Sequence, residues 1–146
     1  MNETNKMKLT YDVVSGDFDR AGEASSAIKR LLQRLGIPAD IIRRIAIGTY
    51  EAEMNVIIHA GGGVVMAEIS PESTIIVVTD KGPGIPDIEQ AKQEGWSTAP
   101  DYIRQMGFGA GMGLPNMIKC SDRIDIASEV NEGTKITMEF KHADKV

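Results

Sequence analysis

The run Ile75-Ile76-Val77-Val78, flanked by Thr74 and Thr79 and stopped by Asp80-Lys81-Gly82-Pro83-Gly84-Ile85, constrains this chain more than any other feature. A stretch that is apolar at every position buries both faces, so it belongs at the centre of a sheet beneath helices. The acid and the Gly-Pro-Gly that follow cannot continue a strand. The chain must therefore build other strands beside this one and supply helices to cover it.

The rest of the sequence supplies both. Residues 8–14 read as an opening strand with partial alternation. Phe18, Ala21, Ala24, Ile28, Leu31, Leu32 and Leu35 recur at helical spacing over about 17–35. Gly36 closes that helix and Pro38 opens the next, which runs to about Ala60 and ends at Gly61-Gly62-Gly63. Strands are expected at Val64–Ser70 and Thr74–Thr79, joined through Pro71-Glu72-Ser73. Residues 81–113 are rich in Gly and Pro, with a short helix near Asp87–Gln93. A connection this long inside a compact domain is usually functional. A helix at Leu114–Cys120 follows. Arg123–Val130 then alternates, with Ile124, Ile126 and Val130 on one face, and Lys135–Phe140 turns Ile136, Met138 and Phe140 inward. The expected fold is a two-layer α+β sandwich: a mixed, mostly antiparallel sheet with helices on one face.

Composition bounds the function. The 146 residues suit one domain spanning 1–146, and 42% apolar with 25% charged residues suits a globular core. No apolar run approaches the roughly 20 residues that span a bilayer, and the first residues show no secretory signal. One cysteine, Cys120, precludes an internal disulfide and fits a cytoplasmic setting. A net charge of −5 without a basic block argues against nucleic acid as the main partner.

Four groups of residues can carry chemistry. On the second helix, Glu51 and Asn55 are four apart and share one face. A carboxylate can accept a proton from an attacking hydroxyl, and an amide oxygen can ligate Mg²⁺. The same spacing also describes a solvated glutamate beside a helix-surface asparagine. Asp80, at the end of the central strand, can accept a hydrogen bond from an exocyclic amine such as that of adenine, and Gly82 and Gly84 permit close approach of a ring. The alternative is a tight turn. Gly107-Phe108-Gly109-Ala110-Gly111-Met112-Gly113-Leu114 precedes a helix and can offer backbone N–H groups to phosphate. It matches neither the dinucleotide fingerprint nor the P-loop, and a flexible hinge is the other reading. Finally, Glu132-Gly133-Thr134 lies between the last two strands, where a hydroxyl could face phosphate; alone it is only a hairpin turn.

In this order and at these separations, the four pieces resemble the GHKL, or Bergerat-fold, ATPases, over roughly residues 40–140. The resemblance implies ATP and Mg²⁺ as cofactors, with Glu51 as general base, Asn55 as Mg²⁺ ligand and Asp80 as the adenine-reading acid. It further implies Gly82, Gly84 and Ile85 beneath the base, and Thr134 behind the nucleotide. Gly107, Gly109, Gly111, Met112, Gly113 and Leu114 would surround the phosphates. Residues 93–106 would form a lid, where Arg104 either reaches a phosphate or stands in solvent, and Trp96 either packs the lid or anchors a partner. His59, followed by Ala60-Gly61, departs from the family's usual His-Gly and is read as a helix-end residue.

Within that superfamily, a histidine kinase needs a phospho-accepting helix pair, and only His59 and His142 exist here. The topoisomerase-type ATPases need a second domain. The chain is similar to the anti-sigma-factor and switch-kinase group, and Gly107–Asn116 is more like the stressosome switch kinases. This implies a serine protein kinase acting on a STAS-domain antagonist or a sigma factor, with a homodimer also admitted. A nucleotide-dependent binding module and a simple ATPase are the competing expectations.

Overall fold

The computed structural model describes residues 6–14, 16–59, 62–82 and 113–143. Its elements, in chain order, are β1 (Met7–Val13), α1 (Glu23–Arg34), α2 (Ala39–His59), β2 (Gly63–Ile69), β3 (Ser73–Asp80), α3 (Gly113–Cys120), β4 (Arg123–Glu129) and β5 (Gly133–Lys141), with a 3-10 turn at Phe18–Arg20. The strands form one sheet in the order β1-β2-β3-β5-β4, and all four described pairings are antiparallel. The expected two-layer α+β architecture is therefore present. The apolar run lies in β3, the middle strand of the five.

Alternation sorts the sheet into two faces. Val65, Ala67, Ile76, Val78, Ile136, Met138 and Phe140 are buried in one core with Ile28, Leu32, Ile41, Ile45 and Val56 of the helices. On the other face Val64, Met66, Ile75 and Val77 are half-buried, while Thr79 and Lys135 are exposed. Burying one methylene-rich face in this way is the main force holding helices to the sheet. α2 lies closest: a Cβ on Gly48 would stand 3.1 Å from Cζ of Phe140.

Three local results differ from the sequence expectation. The first helix begins at Glu23, because Gly22 adopts φ 91° and cannot belong to a right-handed helix. At its other end Gly36, at φ 77°, donates to the Gln33 carbonyl, and Ile37 donates to Leu32, a Schellman ending that satisfies the last carbonyls. Leu35 nevertheless lies outside the core, as does Val130, which falls in the β4–β5 turn. Strand ends otherwise move by one or two residues. The short helix expected near Asp87–Gln93, and the lid with Trp96, lie outside the described residues.

Candidate nucleotide site

α2 sits between α1 and α3 and carries Glu51 and Asn55, both half-buried. The first residue of α3 comes against them. A Cβ on Gly113 would lie 3.2 Å from Oδ1 of Asn55 and 3.5 Å from Oε2 of Glu51, so a side chain at the helix start would press on the asparagine amide. One turn into α3, Nδ2 of Asn116 donates to Oε1 of Glu51 at 3.4 Å. Burial pushes the Glu51 carboxyl above its usual range, and the Asn116 bond offsets part of that rise. A basic carboxylate thus stands beside an amide oxygen and a helix N-terminus, whose free N–H groups and dipole attract anions.

A second cluster forms where β3 ends. Asp80 pairs with Thr134 across the β3–β5 ladder. Oδ1 of Asp80 accepts the Gly82 amide at 2.9 Å and the Thr134 amide at 3.2 Å, which fixes the carboxylate. Among the described residues no group donates to Oδ2, so that oxygen remains able to accept from an amine. Gly133, at φ 126°, is required here because a Cβ would collide with the Asp80 carbonyl oxygen. Ser128 of β4 shares a 2.9 Å hydrogen bond with the Thr134 hydroxyl and donates to the Gly133 carbonyl at 3.1 Å.

Gly63 links the two clusters. A Cβ there would strike the Thr79 carbonyl oxygen and lie 3.0 Å from Val56 and 3.2 Å from Cβ of Asp80. It thereby holds the end of β3 against the residue that follows Asn55. Of the expected site residues, Glu51, Asn55, Asp80, Gly82, Gly113, Leu114 and Thr134 are described. Leu114 is buried in the core rather than turned to the site. Gly84, Ile85, Arg104, Gly107, Gly109, Gly111 and Met112 lie outside the described residues.

Sequence reasoning missed two residues that contact this region, Asn116 and Ser128, and a third, Glu53, on the other side of the same helix. Asn116 was visible only as the last letter of the glycine-rich segment. Ser128 carries no spacing signal. Glu53, two residues from Glu51, is 2% exposed and turns to the opposite side of α2, where it accepts three backbone N–H groups of α1. A glutamate flanked by the buried Ala52 and Met54 requires partners. Cys120 is partly buried and its thiol is pushed up by burial, so it stands as a packing residue.

A carboxylate at the end of a central strand thus lies near a helix bearing Glu51 and Asn55 and a glycine-started helix that faces them, in an α+β domain. Residues 14–140 match the histidine kinase-like ATPase domain family, and the chain belongs to it. Its relatives include an anti-sigma F factor from Clostridium acetobutylicum, 35% identical over 95% of this chain and 95% of that protein. The serine/threonine-protein kinase RsbT of Bacillus subtilis is 30% identical over 74% of this chain and 78% of that one. Among solved structures, the RsbU and RsbW domains of a Mycobacterium tuberculosis protein share the fold with a TM-score of 0.64 at 16% identity, over 96% of this chain. This chain spans about a third of that one, 34%.

Proposed function

We infer that the protein is an ATP-dependent serine kinase that regulates a partner protein in a sigma-factor or partner-switching pathway. The observation that carries this reading is the approach of Gly113 to Glu51 and Asn55, which sets a base, an amide oxygen and a helix N-terminus around one point. A serine/threonine-protein kinase relative over 74% of the chain and an anti-sigma F factor relative over 95% of it support the reading.

The donor set suits Mg²⁺-ATP. Asp80, tied through Oδ1, would receive the adenine amine on Oδ2, and Gly82 would lie under the ring. The Asn55 amide oxygen would ligate Mg²⁺, and the α3 N-terminus would hold phosphate. The bound nucleotide supplies the transferable phosphoryl group and, with its metal, neutralises charge. Glu51 takes the proton of the partner's serine hydroxyl as that oxygen bonds to the terminal phosphorus and ADP departs. A carboxyl raised by burial is a better base at neutral pH than an ordinary glutamate. Thr134, whose hydroxyl is bonded to Ser128, would stand behind the nucleotide.

The partner reading is a STAS-domain antagonist or a sigma factor. None of the described helices is long and apolar enough to cross a membrane, and the proposed setting is the cytoplasm. The test is incubation of the protein with labelled ATP, Mg²⁺ and a purified STAS-domain protein. Label on a partner serine, abolished by Glu51→Gln with partner binding retained, supports the kinase. Nucleotide-sensitive binding without labelling would mean a binding module, and steady ATP turnover without partner would mean an ATPase.

A further inference from the structure

α1 begins without a capping residue of its own. Gly22 occupies the N-cap position, has no side chain, and makes no side-chain cap bond. The N–H groups at the start of a helix need acceptors, and here a different helix provides them. Oε2 of Glu53 accepts from Gly22 at 3.1 Å and Ala24 at 3.2 Å, and Oε1 accepts from Ser25 at 3.1 Å. Both carboxylate oxygens are thus committed to α1, in a site 2% exposed to solvent. The negative group also lies at the positive end of the α1 dipole.

The position of Glu53 on α2 gives this tie its consequence. At about 100° per residue, Glu53 lies about 200° round the helix from Glu51. Tyr50 and Ile57 share the Glu53 side: a Cβ on Gly22 would lie 3.3 Å from the Tyr50 ring, and the Gly16 amide donates to the Ile57 carbonyl at 2.9 Å. On the far side Glu51 receives Asn116, and Arg44 donates to the Cys120 carbonyl at 3.4 Å and pairs with Asp122 at 3.5 Å. α2 is therefore gripped from two nearly opposite sides, by the start of α1 and by α3. Releasing one grip lets the helix roll about its axis, and a roll moves Glu51 and Asn55 relative to Gly113.

We propose that Glu53 is a positioning residue: by bonding the three N–H groups of α1 it sets the rotation of α2 and so aims Glu51 and Asn55. This rests on the reading of Glu51 as base and Asn55 as metal ligand. Glu53 touches neither substrate nor nucleotide in this account.

Glu53→Gln keeps the shape but turns one acceptor oxygen into a donor facing N–H groups. Its kcat for phosphoryl transfer should fall about tenfold or more, since small misplacements near reacting groups are costly. Its affinity for metal-free ADP, set at the Asp80 end, should stay within about twofold, and the acid limb of its pH–rate profile should move. Glu53→Asp should recover part of the rate. His142→Ala, remote from the site, serves as a comparison that lowers stability while keeping kcat. A Glu53→Gln protein that stays folded with kcat within about twofold of wild type overturns the proposal. Hydrogen exchange on the wild type needs no variant: because coupling between sites is reciprocal, saturating Mg²⁺-ATP should slow exchange of the Gly22, Ala24 and Ser25 amides about threefold or more. Unchanged exchange at saturation shown by calorimetry overturns it. If calorimetry shows no nucleotide binding at all, the kinase reading fails and the inference falls with it.

Discussion

Asp80 and Thr134 stand directly opposite each other across the β3–β5 ladder, and the Thr134 amide donates to Oδ1 of Asp80 at 3.2 Å. One carboxylate oxygen ties the residues just after β3 to the start of β5, and the other has no donor among the described residues. The strand pairing and the proposed adenine contact therefore depend on the same side chain.

Asp80→Asn separates the two roles. The amide oxygen can still accept the Gly82 and Thr134 N–H groups, but its NH₂ now faces the adenine amine. Nucleotide binding should weaken by about 1–3 kcal/mol, roughly 5- to 150-fold in Kd, with little change in Tm. Displacement of a fluorescent ADP analogue measures it. Wild-type affinity in this variant would remove the adenine-reading role.

Glu51 makes the protein's stability depend on pH with a definite sign. Its folded-state pKa is raised, so the folded form binds the proton more tightly than the unfolded chain does. Ionised Glu51 is therefore a burden on the fold above its folded pKa, and that burden disappears as pH falls below the ordinary glutamate value. Glu51→Gln should melt higher than wild type at pH 7.5, and the difference should shrink toward pH 4. Thermal scans across this range check the sign. The acid limb of the wild-type rate should likewise lie above the usual glutamate range.

Gly113→Ala opposes stability to activity. Alanine favours a helix over glycine by about 0.5–1 kcal/mol, so the fold should tolerate it. Its Cβ, however, would press on Asn55 at 3.2 Å. Phosphoryl transfer should drop about tenfold or more while Tm holds or rises. Steady-state kinetics beside a melting curve would show the split, and an unchanged kcat would contradict the geometry.

The opposite case is His142. It is buried at the sheet end remote from Asp80, with Nε2 2.7 Å from the Thr74 hydroxyl and Nδ1 3.2 Å from the Pro71 carbonyl. With Nδ1 protonated, the ring donates to Pro71 and accepts from Thr74. His142→Ala strands a hydroxyl that is fully buried, at a cost of about 1–3 kcal/mol. Denaturant titration should show that loss, and kcat at a permissive temperature should not change.

The sheet and its covering helices could be read from periodicity because burial on one face or two leaves a repeat of two or a solid run. Asp80 was legible because a strand must end where Gly and Pro follow. Glu51 and Asn55 were legible because four residues make one helical turn. Glu53 was not, because its partners lie some thirty residues away and are backbone N–H groups that no side-chain pattern reveals. The late start of α1 was hidden for a related reason: the helical spacing continued through Gly22, but its backbone took a left-handed angle. Leu35 and Val130 continue the apolar spacing of their elements yet lie exposed, each at the point where a regular element gives way to a turn.

Calorimetric titration of ATP and GTP into the folded wild-type protein with Mg²⁺ tests the pocket most directly. ATP should bind one to one, and GTP should bind at least about 100-fold more weakly, because guanine would set a carbonyl oxygen against the Asp80 carboxylate. Absence of heat with ATP, or equal affinities for the two nucleotides, would contradict the account.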